Sequence, residues 1–288
     1  MTIRSVLALI DGGSASEQAL KAAVQVGLAF DAHVEVLHVE PPLNPLVPVM
    51  PEGVSVAGAA QLADDLEADQ RKRSDHARAL FNTHCVEAGL KVIEPDDERI
   101  AIASFALRVV SGHDNPELAH RGRLVDLIIM GRPDEADGGV DSAALEAALF
   151  DTGRPVLIAG NAPLKIKDAH MVVAWDGSRE ATRSLSAAMP FLEAANSTVV
   201  MSVTDEQPRM DLDDLGVYLR SHGIDSEPLV TARDERTIAE TLHRELVAQN
   251  ADLTIMGAYG HSVIGEFLFG GVTRDMLKDQ DLTLFLAH

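Results

Sequence analysis

Two stretches decide the fold: Ser5-Val-Leu-Ala-Leu-Ile-Asp11-Gly-Gly-Ser14 and His170-Met-Val-Val-Ala-Trp-Asp176-Gly-Ser178. Each is a short apolar run that ends in Asp-Gly and then a serine. In each, a segment with helical periodicity follows, over residues 16–30 and 179–192, and then a second apolar run, 33–39 and 197–203. A later pair matches as well: Val125-Asp-Leu-Ile-Ile-Met130-Gly131 and Ala251-Asp-Leu-Thr-Ile-Met256-Gly257. Short apolar strands close the halves at 155–159 and 282–287. The landmarks keep their order, so the chain is a duplicated domain rather than an array of small repeats.

Strands that alternate with helices imply βαβ units and a parallel sheet. The pattern predicts five strands in each half, the third at 103–110 and 227–232, with third helices at 116–123 and 237–249. The expected domains are residues 1–160 and 168–288, joined by a polar linker, 160–167, that contains Pro163. The first half is the longer. Its additions fall in a proline-rich stretch, 41–51, which cannot join a central strand, in a long helical stretch, 58–88, and at 94–98.

Composition bounds the function. Hydrophobic residues make up 46% of 288 residues and aromatics only 4%, as suits α/β layers filled by Val, Ile, Leu and Ala. A formal net charge of −21 repels nucleic acid and anionic membrane surfaces. A small anion is still admissible where backbone amides converge. The single cysteine, Cys85, excludes an internal disulfide and fits a reducing compartment. The apolar run from Val6 to Ile10 is too short for the core of a signal peptide, and no stretch is long enough for a membrane span. A cytoplasmic protein without membrane insertion is expected.

The most specific segment runs Met256-Gly257-Ala-Tyr-Gly260-His-Ser-Val-Ile-Gly-Glu-Phe-Leu-Phe-Gly270-Gly271-Val272-Thr273. Two glycines follow a strand directly and two precede a helix start. Glycine lets backbone amides approach a ligand closely, and amides at a helix start carry partial positive charge. Together they can cradle a phosphate. The spacing is that of neither the Walker loop nor the dinucleotide fingerprint.

With its Gly-x2-Gly-x9-Gly spacing, the repeated Asp-Gly-Ser turn and the Ala-Asp-Leu strand, the chain resembles the universal stress protein family, in a tandem arrangement. The resemblance covers nearly the whole chain. It implies two open five-stranded parallel sheets of the Rossmann-like, adenine nucleotide alpha hydrolase-like type. It implies that the second domain binds ATP or another adenine nucleotide; whether Mg²⁺ accompanies the nucleotide is left open by the sequence. Asp176 would contact the ribose or adenine, and Val203 would lie near the adenine. Met256, Gly257, Gly260, Gly270, Gly271 and Val272 would offer backbone groups, with Thr273 close by. It also implies pairing through the last strands, a homodimer of two-domain chains, and a signalling partner that the sequence does not name.

Two departures bear on that reading. The family's Ser or Thr after the third glycine is Gly271 here, so a hydroxyl contact to phosphate is lost, worth about 1.5–3 kcal/mol. In the first half, Arg132, Pro133, Asp134, Glu135 and Asp137 follow Gly131. Carboxylates repel a triphosphate and proline removes an amide donor. The first domain is therefore expected to be free of nucleotide, or to bind something else.

Plainer readings stand beside these. Asp176 can be a helix cap, and the glycines can be turns. His261 reads as a solvated loop residue, His84-Cys85 as a core cysteine beside a surface histidine, and Arg71-Lys72-Arg73 as a solvated helix face. No metal site and no catalytic set is evident. Three functions follow: a nucleotide-linked stress-response regulator rather than an efficient enzyme; a tandem scaffold that acts through protein–protein contacts; and, least favoured, a hydrolase or ligase of the related nucleotide class, of whose loop Asp11-Gly-Gly-Ser14 is a partial echo.

Overall fold

The computed structural model describes residues 2–40, 56–97, 102–133, 142–204, 211–258 and 271–288. The proline-rich stretch, Gly260, His261 and Gly270 lie outside the described residues. The first half runs β1 (Ser5–Leu9), α1 (Ser16–Phe30), β2 (His33–Glu40), α2 (Val56–Phe81), β3 (Ser104–Ser111), α3 (Asp114–Gly122), β4 (Leu127–Met130), α4 (Ser142–Glu146) and β5 (Val156–Ile158). The second runs β6 (His170–Ala174), α5 (Arg179–Ala194), β7 (Ser197–Val203), α6 (Asp211–Ser221), β8 (Ser226–Thr231), α7 (Ile238–Gln249), β9 (Leu253–Gly257), α8 (Gly271–Lys278) and β10 (Leu284–Ala287). Single π-helical turns extend α2 over Asn82–Val86 and α4 over Ala147–Asp151.

All ten strands form one sheet, in the order β3-β2-β1-β4-β5-β10-β9-β6-β7-β8. Within each half every pairing is parallel. The one antiparallel pairing among the described residues joins the halves, with Phe285 opposite Leu157. The last strands pair as the sequence resemblance implied, inside one chain. The order reverses between β1 and β4 and again between β6 and β9. Such reversals open a crevice beyond the carboxyl ends of parallel strands.

The strands are buried on both faces, which is why they read as continuous apolar runs. Val6, Ala8, Val34 and Phe105 point to one side with α1, α2, α5 and α6, while Leu7, Leu9, Leu37 and Ile128 point to the other with α3, α4, α7 and α8. Each side is a single apolar layer that crosses from one half to the other. Phe191 of α5 links them, stacking edge-on against Phe30 at 5.0 Å and Phe285 at 5.5 Å.

The repeated Asp before β4 and β9 has a structural role. Asp126 accepts the backbone N–H groups of Arg4 and Ser5 at 2.9 and 3.0 Å. Asp252 accepts that of His170 at 2.8 Å. In both halves the carboxylate ties the start of the central strand to its neighbour.

Three expectations are corrected. The linker is not simply polar: Leu164 and Ile166 are buried in the core, and the Asn161 N–H donates to the Gln280 carbonyl at 2.8 Å. The helix at Ser142–Glu146 has no counterpart in the sequence reading. The basic run on α2 is not wholly solvated, because Arg73 turns inward, as described below. Cys85 is buried as expected, and burial alone pushes its thiol up to about 12.

Candidate functional site

At the end of β6, Asp176 is exposed and its Oδ1 accepts the Ser178 N–H at 2.9 Å. Gly177 takes φ 74°, a left-handed conformation that favours glycine. The helix cap is Ser178 and not Asp176: the Ser178 hydroxyl oxygen accepts the Ala181 N–H at 3.0 Å. The aspartate therefore shapes the turn while its carboxylate stays at the surface.

The first half builds the same turn differently. Asp11 Oδ1 accepts the Gly13 N–H at 2.8 Å and the Ser16 hydroxyl at 2.7 Å. Helix α2 lies across it. The Arg73 guanidinium reaches Asp11 at 3.9 Å, and His76 Nδ1 lies 3.0 Å from the Gly12 carbonyl. A Cβ on Gly12 would stand 2.2 Å from the Arg73 carbonyl oxygen. The chain's own helix thus covers Asp11, whereas Asp176 is exposed.

Gly131 and Gly257 close β4 and β9 at equivalent points. Added carbons would meet Ala15 and the Ala181 nitrogen, each at 2.6 Å. The N-terminal end of α1 or α5, the helix that follows the neighbouring strand β1 or β6, packs onto each strand end so closely that only glycine fits. This packing explains both glycines without a ligand.

The other sequence-derived candidates surround the same crevice. Val203 is half-buried at the end of β7, and Met256 is buried in β9, its carbonyl accepting the Ser184 hydroxyl at 2.7 Å. Gly271 opens α8, is exposed, and has nothing among the described residues within 4 Å of where a Cβ would stand. Val272 is half-buried. Thr273 is only 3% exposed, on the inner side of α8 with Met276. The four strand-end and helix-start residues Asp176, Val203, Gly257 and Gly271 are thus set by four separate elements of one half. Among the described residues, no group of His, Cys, Asp and Glu could hold a metal ion, and no helix is long and apolar enough to cross a membrane.

The class defined by this geometry is a doubly wound α/β protein with crevices beyond the carboxyl ends of its strands. The match to known families is narrower. Residues 2–139 match the model of the universal stress protein family, and this first half belongs to it. No curated protein matches the chain. A universal stress protein from Archaeoglobus fulgidus DSM 4304 has a similar fold, with a TM-score of 0.69 at 14% identity, over 98% of this chain and 97% of that one. A functionally unknown protein from Pseudomonas aeruginosa PAO1 is similar at a TM-score of 0.58 and 16% identity, over 99% of this chain and 92% of that one.

Proposed function

We propose that the chain is a tandem universal stress protein, with domains at residues 1–160 and 168–288, whose second domain binds ATP or another adenine nucleotide. The nucleotide acts as a regulatory ligand, and Mg²⁺ accompanies it. The protein works in the cytoplasm, as a homodimer of two-domain chains that a signalling partner reads. A regulator of this kind requires the nucleotide to favour one conformation over another. The observation that carries the reading is the asymmetry between the two Asp-Gly turns. Asp11 is part-buried beside Arg73 under α2, while Asp176 is exposed at a strand-order reversal. At Gly271, the first residue of a helix, no described atom lies within 4 Å of where a Cβ would stand, which supports phosphate contact there.

Calorimetric titration of ATP with Mg²⁺ tests this. One site per chain is expected, weakened about tenfold in Asp176→Ala by loss of a charge-assisted hydrogen bond. Gly271→Ser restores the missing hydroxyl in open space and is expected to tighten binding by a similar factor. Absence of heat and of any thermal shift at millimolar ATP would leave the second reading, a scaffold that acts through protein contacts. The packing explanation for Gly257 is the observation that favours this second reading.

A further inference from the structure

Helix α8 has eight residues, with Gly271 at its first position and Lys278 at its last. A helix so short is well below the roughly 12–15 residues at which one is stable alone in water. Its placement therefore depends on what packs against it and what meets its two ends. Thr273 and Met276 bury its inner side. Just past its last residue, Asp279 pairs with His243 of α7.

Another tie comes from the other half. Arg132, just beyond β4, is 7% exposed. Its Nη1 donates to the Met276 carbonyl at 3.1 Å, and its Nη2 donates to the Leu282 carbonyl. Met276 lies in the last turn of α8, whose carbonyls have no partner within the helix. A cation there also meets the negative end of the helix dipole. One guanidinium thus closes the helix and fixes the chain that leads from it into β10. Burial lowers the Arg132 pKa to about 10, which leaves the side chain cationic at neutral pH.

The first half solves the same problem from within. Val156 stands beside Ile128 in one half, and Leu284 beside Thr254 in the other. With Gly131 matched to Gly257, Ala148 is therefore the counterpart of Met276, and Thr152 that of Gln280. The Thr152 hydroxyl donates to the Ala148 carbonyl, so that segment is closed by its own next turn. Gln280 offers no such hydroxyl, and the counterpart of Arg132 is Ala258, buried and without a side-chain donor. A hydroxyl satisfies one carbonyl cheaply. A buried guanidinium carries a larger desolvation penalty, and what it adds is reach from one half to the other.

We infer that Arg132 is a positioning residue: through it the first half holds α8, and so Gly271 at its start, where the second-half nucleotide site needs them. The inference rests on the nucleotide reading above. It gives the half expected to be free of nucleotide a part in binding by the other half. Arg132 touches no ligand in this arrangement and acts only through the helix whose far end it caps.

The test uses the full-length chain with Arg132→Gln and Arg132→Lys. Asp126→Asn, at the start of a first-half strand, controls for general loss of stability. Thermal melts set a temperature at which every variant is folded, and Arg132→Lys carries the test if Arg132→Gln does not fold. Without nucleotide, hydrogen exchange over residues 271–278 is expected to be at least about tenfold faster in Arg132→Gln and unchanged in Asp126→Asn. ATP affinity, read by calorimetry, is expected to fall about tenfold in Arg132→Gln and to hold in Asp126→Asn. Arg132→Lys, with one nitrogen in place of a fork, should lie between wild type and Arg132→Gln in both measurements. Unchanged exchange over 271–278 would overturn the inference. So would faster exchange with undiminished ATP affinity, or equal losses in Asp126→Asn. If the wild type binds no ATP, the nucleotide reading falls, and exchange over 271–278 alone decides whether Arg132 holds the helix.

Discussion

Gly257 shows how a residue that reads as part of a ligand loop can be required for another reason. The Ala181 backbone nitrogen would lie 2.6 Å from its Cβ, and neither strand end nor helix can yield cheaply. Gly257→Ala is therefore expected to cost about 1–3 kcal/mol, as overpacking does. Denaturant unfolding without any nucleotide checks it, with Gly271→Ser as a control that leaves stability nearly unchanged. An unshifted midpoint in Gly257→Ala would return that glycine to the ligand. The Asp-Gly turns were legible in the sequence as strand ends. What distinguishes them was not, since Arg73 reaches Asp11 across a span of more than sixty residues. No local pattern encodes that meeting.

The repeated Asp that precedes β4 and β9 shows what an element needs at its start. Burial raises the Asp252 pKa, but the Lys165 ammonium at 2.8 Å and the His170 N–H outweigh it, so the net shift is downward. A carboxyl whose folded pKa lies below its unfolded value, about 3.9, contributes stability above that unfolded value. The contribution is lost as pH falls through the folded pKa. The difference in melting temperature between the wild type and Asp252→Asn is expected to be widest near neutral pH and to close below about pH 4. Melting curves across that range measure it, and a gap independent of pH would contradict the assignment. Most elements were legible because their periods differ: period two or continuous runs for strands, period 3.6 for helices. Helix α4 escaped notice because five residues, Ser-Ala-Ala-Leu-Glu, are too few to show a period. The linker misled for a related reason. Leu164 and Ile166 alternate with lysines, and burial of such isolated residues depends on what the second half offers them.

At the scale of the molecule, the apolar layers run unbroken from one half to the other, and Phe285 sits at their junction with no exposure. Calorimetric unfolding is expected to show one transition rather than two. Phe285→Ala should lower that transition as a whole, by about 3–5 kcal/mol for a buried phenylalanine. Two separate transitions, only one of them displaced, would mean that the halves fold apart. The pairing of β5 with β10 has a further consequence. In an assembly of two identical chains, any substitution is made twice and must suit both copies. Here the two partners are written separately in one chain, so each can change without its mirror image changing. One half has drawn a helix over its aspartate while the other keeps its own exposed, and a two-fold assembly of identical subunits could not have recorded that difference.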